Sequence, residues 1–149
     1  TTFYRFKRPG KPKIMCDYCK KRISKGERII ECYLQKYNFT YEKQYTFDDC
    51  RNINPLPFDF AVFHNGQLTC LIEYDGQQHE QALEHWGGKE GLEYRKHNDR
   101  IKSQYCIYHK IPLIRISYHE LNDIHYILDQ CLKKNRGTVK CHYQPRLDL

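Results

Sequence analysis

Two short apolar runs, Phe58 to His64 and Leu68 to Tyr74, flank the dipeptide Asn65-Gly66. A tight type I′ turn needs positive φ at both of its central residues, and Asn and Gly adopt that conformation at the least cost. Aromatic and branched residues on either side complete a hairpin signal. Two antiparallel strands are therefore predicted in the middle of the chain, and the remaining elements must cover them. Each strand also carries an acid, Asp59 in the first and Glu73 in the second. The second strand continues into Tyr74-Asp75-Gly76-Gln77-Gln78-His79. An ionised carboxylate within an apolar strand is costly unless a cation or several donors meet it. A single acid of this kind is as well explained by a structural Lys or Arg partner as by function. Two on consecutive strands, beside Asp75 and His79, point to a site.

That site puts a condition on the hairpin. If Asn65-Gly66 were a strict two-residue turn, His64 would pair with Gln67, Asp59 would face Ile72, and Glu73 would point to the other side of the sheet. A three-residue loop or a bulge near the turn restores a shared face. The functional reading predicts one of these irregularities. Acids gathered in this way suit phosphodiester hydrolysis, in which a divalent cation offsets charge on the phosphorus and supplies hydroxide. Hard carboxylate oxygens suit Mg²⁺, for which Mn²⁺ can substitute.

The flanking sequence reads as α/β. Ser24-Lys25-Gly26-Glu27 has capping-box spacing, and Ile30, Tyr33, Leu34 and Tyr37 recur at helical period, which predicts a helix from about 25 to 37. A strand from Thr40 to Phe47 and a loop containing Pro55 and Pro57 lead into Phe58. Gly87, Gly88 and Gly91 mark a loop before a helix from Leu92 to Lys110. Pro112 to Ser117 reads as a short buried strand, and Leu121, Ile124, Ile127, Leu128 and Cys131 as the stripe of a last helix. The expected core is a mixed sheet of about four strands flanked by helices, in the order helix, three strands, helix, strand, helix.

With 149 residues, 40% of them hydrophobic, the chain has the length of one ordinary domain. We expect it over residues 24–134. Residues 1–23, broken by Pro9, Gly10 and Pro12, read as a basic arm or linker, and residues 135–149 as a basic tail. The chain begins at Thr1, which fits a piece of something longer with an upstream DNA-binding or zinc segment. The net charge of +7 includes the acids of the site, so the remaining surface is more basic still, and a polyanion is the natural partner. Arg5, Lys7, Arg8, Lys11, Lys13, Lys20, Lys21 and Arg22 are candidates for phosphate contacts, which position DNA without reading its sequence. A solvated basic tail is the competing reading.

No apolar run reaches the roughly 20 residues of a membrane span, and no signal-peptide core is visible, so a soluble cytoplasmic protein is expected. The eight Cys are irregularly spaced and several fall within apolar runs, as reduced buried thiols do. Cys16 and Cys19 look like half of a zinc knuckle. A closed zinc site needs four ligands, and only the distant Cys141-His142 offers more, so zinc is not expected here.

Several candidates have plain explanations beside the functional ones. Glu27 is what a capping box asks for, yet it lies on the flank of the buried stripe and could lean toward the strand ends. His79 follows a probable turn close to Glu73, which suits a proton carrier. Asp99 and Lys102 lie one turn apart on a predicted helix, and an exposed ion pair is their ordinary reading.

These residues resemble the PD-(D/E)XK nuclease superfamily, in its branch related to the very-short-patch-repair endonuclease. The chain is most similar to phage homing endonucleases of the EDxHD group. The resemblance spans about Ser24 to Ile116 and is most specific from Phe58 to His79. It implies a restriction-endonuclease-like core, with Glu27, Asp59, His79 and Asp99 as the motif residues in order, and a phage or bacterial setting. It also places Glu73 at the acid of the wider E-x-K motif and the Tyr74 carbonyl at a main-chain metal ligand. The Lys of E-x-K is replaced by Asp75, so His79 would take over its role, with Gln77, Gln78 or Lys102 in support. The implied catalytic set is Glu27, Asp59, Glu73, His79 and Asp99. Asp59, Glu73 and the Tyr74 carbonyl would hold Mg²⁺, and the substrate would be double-stranded DNA; a homodimer is one way to cut both strands, and a nick and a double-strand break are both open. A repair nickase, a junction resolvase or a transposon end-cutting nuclease would use the same core. A DNA-binding module with a decayed nuclease fold is the non-enzyme alternative.

Overall fold

The computed structural model describes residues 5–8, 11–13, 23–77, 87–135 and 138–141. In chain order the elements are β1 (Arg5–Arg8), β2 (Lys11–Lys13), α1 (Lys25–Lys36), β3 (Thr40–Tyr45), β4 (Phe58–His64), β5 (Gln67–Asp75), α2 (Gly88–Tyr108), β6 (Leu113–Ser117), a 3₁₀ turn (Tyr118–Asp123), α3 (Ile124–Cys131), β7 (Leu132–Asn135) and β8 (Thr138–Cys141). The central sheet has the order β3-β4-β5-β6, antiparallel between the first three strands and parallel between β5 and β6. This is a mixed α/β architecture with a four-stranded mixed sheet flanked by helices.

Local chemistry explains where the helices begin. The Ser24 hydroxyl accepts from the Glu27 N–H at 3.2 Å, and the Glu27 carboxylate accepts from the Ser24 N–H at 3.1 Å, so the capping box forms in full. α1 then buries Gly26, Ile30, Tyr33 and Leu34. α2 starts four residues earlier than the sequence suggests, because Gly87 takes the cap position with φ 89° and Gly88 and Gly91 enter the first turn instead of a loop. β3 stops at Tyr45, before the expected Phe47. The Phe47 ring instead packs edge-on against Tyr45 and Phe58 and tilted against Tyr105 of α2.

The two faces of the sheet carry separate cores. On one, Phe60, Val62, Cys70, Ile72, Ile114 and Ile116 meet α1 through Ile30, Tyr33 and Leu34, and α3 through Ile124 and Leu128. On the other, Ala61, Leu71 and Leu113 meet Cys106 of α2, joined by Cys50 and Phe58. A strand covered on both faces reads as a continuous apolar run, which is why β5 and β6 lack clean alternation. Along the second face the apolar residues give way to charge toward the strand ends. Leu71 is followed at same-face spacing by Glu73 and Asp75, and Leu113 by Arg115.

Two regions differ from expectation. The N-terminal arm is not simply extended: β1 and β2 pair antiparallel, Arg5 opposite Lys13 and Arg8 opposite Lys11. Pro12 is compatible with this because a two-stranded ribbon leaves half of its N–H groups outside the ladder. The start of the basic tail likewise pairs, with Leu132 opposite Cys141 and Asn135 opposite Thr138. Cys32, Cys50, Cys70, Cys106 and Cys131 are free thiols, all but Cys32 buried, as expected for reduced cysteines. Among the described residues no helix is long and apolar enough to cross a membrane.

Gly26 marks the closest approach between α1 and β5. A Cβ at this position would be driven into the ring of Tyr74. Gly26→Ala should therefore push that ring aside and cost about 1–3 kcal/mol, the usual penalty for overpacking. Urea unfolding measures it, and unchanged stability would contradict the packing described.

Candidate active site

The hairpin meets the condition that the acids impose. Asn65 and Gly66 have φ of 50° and 77°, and His64 pairs with Gln67, so the turn itself is the strict two-residue form. The register then slips. Phe63 opposes Leu68 but Val62 opposes Cys70, leaving Thr69 as the extra residue of a bulge. Beyond it Ala61 opposes Leu71 and Phe60 opposes Ile72, so the next step along the strands brings Asp59 against Glu73 instead of Ile72.

At that step the side chain of Asp59 takes over from the backbone. Its Oδ2 accepts the Tyr74 N–H at 2.8 Å, while Gln44 Nε2 stands 3.5 Å from Oδ1. Burial raises the Asp59 carboxyl well above the usual carboxylate range, and the charges of Glu73 and Glu27 push it further, against the opposing pull of the Tyr74 N–H and Lys102. Glu73 is only 3% exposed and Lys102 only 8%. Lys102 Nζ lies 2.5 Å from Glu73 Oε1, a buried ion pair. Burial still raises the Glu73 carboxyl, although Lys102 and Arg115 both oppose the shift. The Lys102 ammonium also sits 5.2 Å from the centroid of the Phe58 ring, which shields it from water on that side.

A second set of charges lies next to this pair. Arg115, opposite Glu73 in the parallel β5–β6 register, reaches past it. Its Nη1 is 3.2 Å from both oxygens of Asp75 and 3.8 Å from an Asp99 oxygen, and its Nη2 donates to the Asp99 carbonyl at 3.1 Å. Burial alone would lower the Arg115 guanidinium, but Asp75, Asp99 and Glu73 outweigh it and hold the charge on.

Asp59 and Glu73 thus converge as expected, and Glu27 serves both of its readings, capping α1 while lying close enough to act on Asp59 and on Tyr74. Asp75 and Asp99 are bound to Arg115. The exposed Asp99–Lys102 ion pair is a correction: Lys102 turns inward to the buried Glu73, while the half-buried Asp99 meets Arg115. Gln77 is exposed beyond the end of β5, and Gln78 and His79 lie outside the described residues, as do Lys20, Lys21, Arg22, Cys16, Cys19 and His142. Arg5, Lys7, Arg8, Lys11 and Lys13 fall in β1 and β2. Sequence reasoning missed Arg115. The available signal was an Arg in the middle of the apolar strand Leu113-Ile114-Arg115-Ile116, as anomalous there as Glu73 is in β5.

Among the described residues no three His, Cys, Asp or Glu side chains are arranged to hold a metal ion. Two carboxylates and a carbonyl nevertheless fit Mg²⁺, which keeps several of its waters and commonly takes only one or two protein carboxylates. The electrostatics suit it too, since Asp59 and Glu73 repel one another and a cation between them would relieve both. No protein-family model, curated protein or solved structure matches the chain.

The raised carboxyls carry a stability signature. A raised folded-state value means that the native protein binds protons more tightly than the unfolded chain, so this stability is present at low pH and is lost as pH climbs through the folded values of Asp59 and Glu73. In metal-free buffer Asp59→Asn should flatten that loss and raise the melting temperature near neutral pH, since the amide oxygen can still accept the Tyr74 N–H. A lower melting temperature would mark Asp59 as a structural residue.

Proposed function

We propose that the chain is a Mg²⁺-dependent DNA endonuclease with a restriction-endonuclease-like core, of the PD-(D/E)XK type and its very-short-patch-repair-like branch, and that it acts on double-stranded DNA as homing endonucleases do. The observation that carries this reading is the meeting of Asp59 with Glu73 across a bulged hairpin, with Lys102 buried against Glu73. Among the described residues, five carboxylates, those of Glu27, Asp59, Glu73, Asp75 and Asp99, gather around the buried Lys102 and the half-buried Arg115, in a chain whose net charge is +7. A local excess of negative charge on a basic protein is what a cation-assisted phosphate site needs.

Asp59, Glu73 and the Tyr74 carbonyl would hold Mg²⁺. When bound, the ion supplies charge for the phosphorane and lowers the pKa of a coordinated water. Asp59 is oriented for its part by the Tyr74 N–H, which fixes one oxygen, while the other is met only at 3.5 Å by Gln44 among the described residues. Lys102 fills the role that the Lys of E-x-K has in the superfamily: its ammonium, anchored on Glu73, offers hydrogen bonds to the attacking water and to a phosphate oxygen. His79 would take a proton from the attacking water or hand one to the leaving oxygen as water attacks phosphorus and the P–O bond breaks. Glu27 adds negative charge beside Asp59 and helps to place a water. Asp99 acts through Arg115.

Incubation with a pool of duplex DNA, mismatched duplexes and four-way junctions, followed by mapping of the ends, tests the activity and its substrate together. Cleavage should require Mg²⁺ or Mn²⁺ and cease with EDTA. Asp59→Ala and Glu73→Ala should abolish cutting while retaining DNA binding in EDTA, and Lys102→Met should lower kcat by roughly 10²–10³-fold. An Asp59→Ala variant that cuts like the wild type, or a wild type that cuts none of these DNAs, sinks the reading.

A further inference from the structure

Arg115 stands beside the site, yet the nuclease reading gives it no contact with the metal or the DNA. Its neighbour in the sheet is Glu73, yet it spends its hydrogen bonds elsewhere: one nitrogen on the two oxygens of Asp75, another on the main-chain oxygen of Asp99. Asp75 lies at the end of β5 and Asp99 in the middle of α2, so one planar side chain ties the strand that carries Glu73 to the helix that carries Lys102.

We propose that Arg115 is a positioning residue that sets the height of α2 over β5, and thereby holds Lys102 against Glu73.

Three observations carry the inference. The first is the helical spacing. Asp99 and Lys102 are three residues apart, nearly one turn, so they project to the same side of α2 and fixing the Asp99 carbonyl at 3.1 Å from Arg115 fixes the base of Lys102. The second is the partition of partners. Asp75 and Asp99 take the hydrogen bonds of Arg115, which acts on Glu73 only through its charge, so the close contact to that carboxylate is made by Lys102. The third is the kind of side chain. Buried ion pairs contribute little net stability compared with apolar residues of similar volume, and the flanking Leu113, Ile114 and Ile116 show that apolar residues fit this strand. A fork of fixed geometry is suited to register, because its two ends bind two elements at a set separation. The apolar grip on this part of the helix is modest: α2 fully buries only Lys102 and Cys106, with Ile101 and Tyr105 partly buried against the second core.

The inference rests on the nuclease reading, and the test separates the two. Arg115→Met and Arg115→Lys are compared with the wild type in Mg²⁺-dependent cleavage, in DNA binding with EDTA, and in a Lys102→Met background. Arg115→Met should lower kcat by about 10²-fold, the cost of a misplacement on the scale of 1 Å, with KM and DNA affinity nearly unchanged. In the Lys102→Met background the same replacement should have almost no further effect on kcat, because the residue acts through Lys102. Arg115→Lys keeps the charge but cannot span Asp75 and the Asp99 carbonyl together. It should fold and recover only part of the rate, and it decides the matter if the Met variant does not fold. Equal losses in both Lys102 backgrounds, or full activity of Arg115→Lys, would overturn the positioning role and leave the nuclease reading standing. A wild type that cleaves no DNA overturns both.

Discussion

One surplus residue in β5 governs everything downstream of the hairpin turn. Side chains alternate across a sheet with a period of two, so an offset of one residue moves every following side chain to the other face. The turn at Asn65-Gly66 closes with strict two-residue geometry, and Thr69 then absorbs the offset between Val62 and Phe63. Without that slip Asp59 would stand opposite Ile72 and the charged end of β5 would lose its partner on β4. With it, Phe60 and Ile72 share one core, Ala61 and Leu71 share the other, and Asp59 and Glu73 come together where the ladder ends.

The charges on the second face of the sheet follow from that register. Glu73 continues the line of Leu71, and Arg115 continues the line of Leu113 in the parallel neighbour, so a polar patch forms at the end of an apolar core. Each charge has an assigned partner: Lys102 takes Glu73, and Arg115 takes Asp75 and Asp99. Among the described residues Asp59 has one backbone donor and a distant amide, and its carboxyl is held high by burial and by two acidic neighbours. Such an arrangement lowers the stability of the fold near neutral pH. Its stability therefore rests on the two apolar layers, where buried side chains such as Ile30, Phe60 and Ile114 contribute about 1.5–3 kcal/mol each. An uncompensated carboxylate at the mouth of a well-packed core is expected of a site and is costly in a scaffold.

Much of this was legible in the residues because it depends on neighbours along the chain. The capping box at Ser24 and Glu27, the Asn65-Gly66 turn, the apolar stripes of α1 and α3 and the stop before Pro112 are all local signals. The requirement for a bulge was also legible, since two acids spaced 14 residues apart across a two-residue turn cannot share a face without one. Thr69 itself was not identifiable, because which residue bulges depends on how both cores fill. The pairing of β1 with β2 was hidden by Pro9, Gly10 and Pro12, whose local preference for irregular backbone gives way to partner strands. For Lys102 the spacing left two readings, an exposed pair with Asp99 and a supporting place in the site, because spacing alone does not tell which side of a helix faces a sheet.

By itself the chain determined the kinds and order of the elements from α1 to α3 and the presence of carboxylates where apolar residues belong. Each of these follows from short-range propensity or from the cost of burying charge. Only the tertiary structure decided who meets whom: Asp59 with Glu73, Lys102 with Glu73 in place of Asp99, and Arg115 across to α2. Charges choose partners by distance and burial, and both are set when the sheet and helices pack.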